Sequence, residues 1–223
     1  MNITTFPDIH TLIHHFNFNP NYVINDPDIH KVETECDLND RKLHDAELLT
    51  VMAANSRSNC LELGTSYGQS SFKISQNLPE GLTLFTANIL PEQFSSTSGE
   101  LITHLIPHSE IGQYYKERNA SNIVQFYEDT SNWLIPNIVN NLSFAFIDAS
   151  HDSLSVLNDS KLVWPRIAQN GFLIWHDFNY ELANKFNWIN SVSTGALTFC
   201  EQQNIKNIYH LKDSWMSFVI KES

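Results

Sequence analysis

The sequence predicts an α/β fold: a doubly wound, mostly parallel sheet of seven strands that ends in an antiparallel hairpin. Three observations carry this expectation. Short apolar runs at 60–63, 82–87, 123–127, 142–147 and 172–175 alternate with stretches of helical periodicity. Strands that alternate with helices need crossover connections and so lie parallel. The last two apolar runs, 207–211 and 215–220, are separated only by Lys212-Asp213-Ser214. That link is too short for a crossover, so this pair is antiparallel. Finally, a chain of 223 residues with 42% apolar composition can fill one core of this size.

Taken in order, the chain opens with Phe6, Ile9, Leu12, Ile13 and Phe16 at near-helical spacing, followed at 17–27 by a stretch rich in Asn, Asp and Pro. Residues 1–39 therefore read as a short helix and an irregular arm. Such an arm serves as a packing extension, as a contact in a homo-oligomer or as a lid. From residue 40 the pattern turns helical, with Leu43, Ala46, Leu49 and Ala53 on one stripe. Further helices are expected at 69–76, 132–139, 153–163 and 186–203. Ser95-Ser96-Thr97-Ser98-Gly99 opens an insertion that reaches about residue 119. No repeat or low-complexity linker divides the remainder, so 40–223 is expected to be one domain.

Composition removes several classes of function. The formal net charge is −12, and the basic doublet Arg41-Lys42 is flanked by acidic residues. Nucleic acid is therefore not the expected partner, because phosphate binding needs clustered cations. No apolar run approaches the roughly 20 residues that cross a bilayer. The first residues lack a basic region followed by an apolar stretch, so no secretory leader is expected and the expected location is cytoplasmic. Cys36, Cys60 and Cys200 form no CxxC pair and read as reduced thiols. An acidic surface of this kind is compatible with an enzyme acting on a small molecule.

The first strand runs into Glu62-Leu63-Gly64-Thr65-Ser66-Tyr67-Gly68-Gln69-Ser70-Ser71. A ligand crossing the carboxyl end of a parallel sheet must approach the backbone closely, which glycine permits. The following helix offers free N–H groups and a positive dipole end, suited to a carboxylate. Dinucleotide sites present G-x-G-x-x-G. Here the glycines are four apart, which disfavours a hydride-transferring oxidoreductase and suits a ligand with an amino acid end. An ordinary βα turn is the other reading of the same residues.

Leu61-Glu62-Leu63-Gly64, with Gly68 and Ser70, resembles the first motif of class I S-adenosylmethionine-dependent methyltransferases. Phe146-Ile147-Asp148-Ala149-Ser150-His151 and Ile174-Trp175-His176-Asp177-Phe178 resemble the "IDGSH" and "WHD" motifs of a bacterial group that methylates small molecules. The three motifs occur in the family's order, and the resemblance spans about residues 40–220.

The resemblance implies a Rossmann-like fold and S-adenosyl-L-methionine as cofactor. It implies cofactor contacts from Glu62, Gly64, Thr65, Ser66, Gly68, Ser70, Asp148 and the residue ending the second strand. That last position, acidic in the family, is Asn88 here. An amide keeps one donor and one acceptor for the ribose but loses the charge-assisted part. Glu92 is a second candidate for that task. Asp129 and Thr130 resemble the turn that reads the adenine edge; capping a following helix is the alternative. His151 is implied as general base, beside Asp148. A magnesium-like ion on Asp148 and Asp177 is also implied. The family's third ligand falls at Phe178, with His176 and Asn179 as nearby substitutes. The acceptor is expected to be a small molecule bearing a hydroxyl, bound near Tyr114-Tyr115-Lys116 and the 17–35 arm. The departures at Asn88 and Phe178 leave one alternative: a non-catalytic protein of the same fold that binds S-adenosylmethionine or S-adenosylhomocysteine.

Overall fold

The computed structural model describes residues 1–25, 38–94 and 105–222. The loop signal at 95–99, Cys36 and most of the proposed acceptor-binding arm lie outside the described residues. In chain order the elements are β1 (Asn2–Phe6), α1 (Ile9–Phe16), α2 (Leu38–Ala54), β2 (Cys60–Leu63), α3 (Gln69–Asn77), β3 (Leu84–Ala87), α4 (Gln113–Glu117) and β4 (Ile123–Phe126). They continue with β5 (Leu142–Ile147), α5 (Ser153–Val163), β6 (Ile167–His176), α6 (Asn187–Gln202), β7 (Asn207–Leu211) and β8 (Met216–Ile220).

These strands form one sheet in the order β1-β7-β8-β6-β5-β2-β3-β4. Strands β4, β3, β2, β5 and β6 run parallel, and β8 is antiparallel to both β6 and β7. The seven expected strands are therefore present, with the antiparallel hairpin at the C-terminal end. An eighth joins them: β1 pairs in parallel with β7, from Asn2 against Asn207 to Phe6 against Leu211. The helical spacing that begins at Phe6 conceals it. Asp8 accepts the Thr11 N–H at 2.8 Å and caps α1, so the helix starts only at Ile9. The β-branched run Ile3-Thr4-Thr5 ahead of that cap is free to extend.

The helix expected at 132–139 does not form, and the segment is irregular, with a turn at each end. Pro136 has no N–H to donate and disfavours helical backbone at the residue before it. The apolar positions still alternate in burial: Trp133, Ile135 and Val139 enter the core while Leu134 is 90% exposed.

Side chains alternate across the strands and feed two apolar layers. Leu61, Leu63, Ala145 and Ile147 point to the layer shared with Val156 and Val163 of α5 and with Val192, Ala196 and Phe199 of α6. Cys60, Leu84, Phe144 and Phe146 point to the other, with α1, α2 and Ile74 of α3. Cys60 and Cys200 are buried free thiols, each pushed up to about 12 first of all by burial. This wrapping leaves the carboxyl ends of β2, β3, β4 and β5 as the open crevice.

Candidate active site

The floor of the crevice is where β2, β3 and β5 end together. Gly64 donates to the Ala87 carbonyl at 2.8 Å and Asp148 donates to the Leu63 carbonyl at 2.8 Å. Gly64 takes φ +101, and a Cβ there would lie 2.0 Å from the Asp148 carbonyl oxygen. Only glycine lets β2 turn away so close to the end of β5. Gly68, at φ +88, sits beneath the Tyr115 ring. The loop between them is tied from outside, where Gly112 donates to the Ser66 carbonyl and Tyr114 to the Tyr67 carbonyl, at 2.8 and 2.9 Å.

Glu62 is fully buried behind this loop. It accepts from Ser70 at 2.5 Å, from Thr86 at 2.6 Å and from Ser71. Thr65 joins the same network through Thr86 at 2.7 Å and Gln125 at 3.0 Å, and Tyr115 donates to Gln125 at 2.9 Å. Burial raises the Glu62 carboxyl to about 7, against the pull of the three hydroxyls. Glu62, Thr65, Gly68 and Ser70 thus hold the loop in shape rather than face the cavity. Tyr114 and Tyr115 belong to this outer clamp as well.

In front of the loop lies a cavity of about 530 Å³, of a size for one small ligand. Of the residues expected to touch a cofactor, Gly64, Ser66, Asn88, Asp129, Thr130 and Asp148 line it. Asn88 ends β3 with its amide partly engaged, accepting from Ser66 N–H at 2.9 Å and donating to the Ile89 carbonyl at 2.8 Å. One lone pair and one N–H of that amide remain. Glu92, the other candidate, is exposed and is not part of the wall. Asp129 accepts from the Ser131 N–H at 2.9 Å in an Asx turn, and no helix follows for it to cap.

At the other end, Asp148 and Asp177 approach each other across β5 and β6. His151 Nε2 lies 3.0 Å from Asp177 Oδ2. His176 Nδ1 lies 3.2 Å from both Asp148 Oδ1 and Asp177 Oδ2, and its Nε2 is 3.3 Å from Asp45 on α2. Despite that closeness, Nδ1 makes no well-angled hydrogen bond, and neither does the buried Asp177 Oδ1. Burial opposes a charged imidazole, yet Asp148 and Asp177 hold His176 well above the ordinary histidine range. Burial also opposes a charged Asp177, but His176 and His151 keep its carboxyl well below the usual range. Asp148, His151 and Asp177 each offer a ligand atom within 4.8 Å of the others.

The position after Asp177 contributes nothing to this cluster. Phe178 is fully buried against Trp175, with ring centroids 5.9 Å apart. Asn179 is spent on the chain, donating to the Ser214 carbonyl and accepting from the Glu181 and Leu182 N–H groups. The histidines of the cluster are His151 and His176, the latter one residue before Asp177. Two participants escaped the sequence. Asp45 carried no signal, being separated from its histidine by most of the chain. Asp159 did carry one: a carboxylate on the buried stripe Val156, Asp159, Ser160 and Val163 of α5.

A glycine loop under a cavity, acidic residues at successive strand ends and a closing antiparallel hairpin together define a methyltransferase-type α/β protein. Residues 61–178 match the family described as "Methyltransferase domain", and the chain belongs to that family. The fold agrees. The O-methyltransferase NovP superposes with a TM-score of 0.62 at 12% identity, covering 82% of this chain and 80% of that one. The O-methyltransferase TomG from Streptomyces achromogenes, solved with S-adenosylmethionine, gives 0.55 at 12% identity, over 96% and 88%. An O-methyltransferase from Bacillus cereus, solved with S-adenosylhomocysteine, gives 0.53 at 16% identity, over 96% and 89%. No curated protein matches the chain by sequence.

Proposed function

We propose that the protein transfers a methyl group from S-adenosyl-L-methionine to a hydroxyl oxygen of a small molecule. The observation that carries this reading is the crevice running from the glycine loop, with Asn88, Asp129 and Thr130, to Asp148, whose carboxylate lies 3.2 Å from His176. A ligand with an amino acid end and a nucleoside end fits that span. Two of the O-methyltransferases that share the fold were solved with this donor or its product.

Methyl transfer is a direct displacement at the sulfonium carbon, so the protein's tasks are alignment and removal of the acceptor's proton. His151 is suited to take the proton, with Asp177 at 3.0 Å holding the imidazole in orientation. Titration with S-adenosylmethionine and S-adenosylhomocysteine tests the cofactor; no binding at millimolar ligand overturns the reading. His151→Gln is expected to lower kcat by about 10²–10⁴-fold while cofactor affinity stays near wild type. Unchanged kcat removes the base assignment.

The same residues suit a divalent cation. Asp148 and Asp177 supply oxygens, and His176 Nδ1, 3.2 Å from an oxygen of each, supplies a nitrogen once the ion displaces its proton. An imidazole in the set suits manganese or zinc better than magnesium, which prefers oxygen donors throughout. Such an ion would add positive charge beside the acceptor oxygen and lower its pKa. Cobalt(II) added to metal-stripped protein should give visible absorption that Asp148→Asn and His176→Ala abolish. Its absence, or equal competition by magnesium, would overturn this assignment.

A further inference from the structure

The nucleoside end of the cavity is faced from two sides. The turn after β4 brings Asp129 and Thr130, and α5 brings Ser155, Asn158 and Asp159. Asp159 is only 3% exposed, yet it forms part of the cavity wall. Its neighbours are the Thr130 side chain, as a hydrogen-bond partner, and the charge of Asp129. Few other charges bear on it. Within α6, which packs on α5, the titratable side chains are the buried thiol Cys200 and the exposed Glu201, and Glu128 lines the cavity beside Asp129. On α5 itself Lys161 is exposed, and Asp152 is engaged in capping the helix. Arg166, just past α5, donates to the Ile135 carbonyl.

Two carboxylates at one end of a crevice do not both stay ionised cheaply, and the more buried one keeps its proton. Asp159 follows this rule: burial first, then Asp129, raise it to about 7. A neutral carboxyl group carries one O–H donor beside one carbonyl acceptor. The exposed edge of adenine carries the complement, an acceptor at N1 beside the donor amine. A carboxylate would instead turn lone pairs toward N1.

We propose that Asp159 reads the adenine of the methyl donor, donating from its protonated carboxyl to N1 and accepting from the exocyclic amine. This rests on the cavity being the S-adenosylmethionine site. Asp129, whose Oδ1 is held by the Ser131 N–H, fixes the turn that faces it.

The test is calorimetric titration with S-adenosylhomocysteine from pH 6 to 8.5, on wild type, Asp159→Asn and Asp159→Leu. Wild-type affinity is expected to fall up to tenfold per pH unit above about 7, as the ligand-binding protonated form is lost. Asparagine presents the same donor and acceptor without a titration, so its affinity should stay within a few-fold of wild type and be flat with pH. Leucine should lose about 10–100-fold. The 1-deaza analogue, with carbon in place of N1, should bind wild type about tenfold more weakly and lose less than S-adenosylhomocysteine does on Asp159→Leu, because only the amine contact remains to be lost. A pH profile for Asp159→Asn as steep as wild type, or no penalty for the 1-deaza analogue on wild type, overturns the proposal. Should wild type bind no S-adenosylhomocysteine at any pH, the cofactor reading falls and this one with it. Thermal unfolding of each variant separates a folding defect from a lost contact.

Discussion

Single residues decide how this loop is built, and Glu62 is the clearest case. Its motif was legible in the sequence, but its task was not. The family resemblance assigns it to the cofactor, whereas the structure surrounds it with Ser70, Ser71 and Thr86 behind the loop. Nothing in a linear pattern shows that two of those hydroxyls come from the helix that follows and one from the neighbouring strand. The folded carboxyl titrates near 7 against an ordinary 4.5. Between those values the unfolded chain has released its proton while the folded chain has not. Stability therefore declines as pH rises through that window, by at most roughly 1.4 kcal/mol per unit, and levels off above it. Glu62→Gln removes that slope and costs about 1–3 kcal/mol at pH 5, where the hydroxyls lose a matched acceptor. Urea unfolding at pH 5, 6 and 7 compares the two proteins. Parallel profiles would show that Glu62 is ionised in the fold. His176 is the complementary case: the sequence offers it as a substitute for the ligand position that falls at Phe178, but not its contacts with Asp148, Asp177 and the distant Asp45.

Among the elements, strands buried on both faces were the most legible. Runs such as 60–63 and 142–147 are mostly apolar and bounded by turn residues, which leaves little freedom in where they end. The segment 132–139 misled because alternating burial in an irregular chain mimics helical periodicity over so short a span, and Pro136 counted for more than the apolar spacing. The pairing of α5 with α6 supplies a test. Gly195 of α6 faces the start of α5, and a Cβ there would lie 2.4 Å from the Ser153 carbonyl oxygen. Alanine in an open helix interior would gain about 1 kcal/mol over glycine. Here overpacking dominates, so Gly195→Ala is expected to destabilise by about 1–3 kcal/mol. Because Ser153 directly follows the Asp152 cap and lies two residues past His151, the same substitution should lower kcat. A raised melting temperature with full activity would show that the helices separate without cost.

For the molecule as a whole, the sheet order and the crevice follow from the alternation of elements, while the edge strand does not. Pairing across nearly the entire chain leaves no local trace. No helix among the described residues is long and apolar enough to cross a membrane. If the crevice holds the methyl donor, ligand binding links strands β2 to β5 and stabilises the fold globally. At a hundredfold excess over Kd that linkage contributes about 2.7 kcal/mol, a melting shift of roughly 5–10 °C for a domain of this size. Differential scanning fluorimetry with S-adenosylhomocysteine measures it, and adenosine or methionine alone should each give a smaller shift. Equal shifts from all three would mean that the two ends of the cavity do not act on one ligand.

The parallel pair β1–β7 also imposes an order in time. Asn2 through Phe6 leave a ribosome well before their partners, which lie about two hundred positions later. At ordinary elongation rates the segment waits roughly 10–40 s for a neighbour. During that interval its Ile3 and Phe6 have no strand to lie against. The first of these strands thus finds its place only after β7 has been made, on an edge that β7 alone presents.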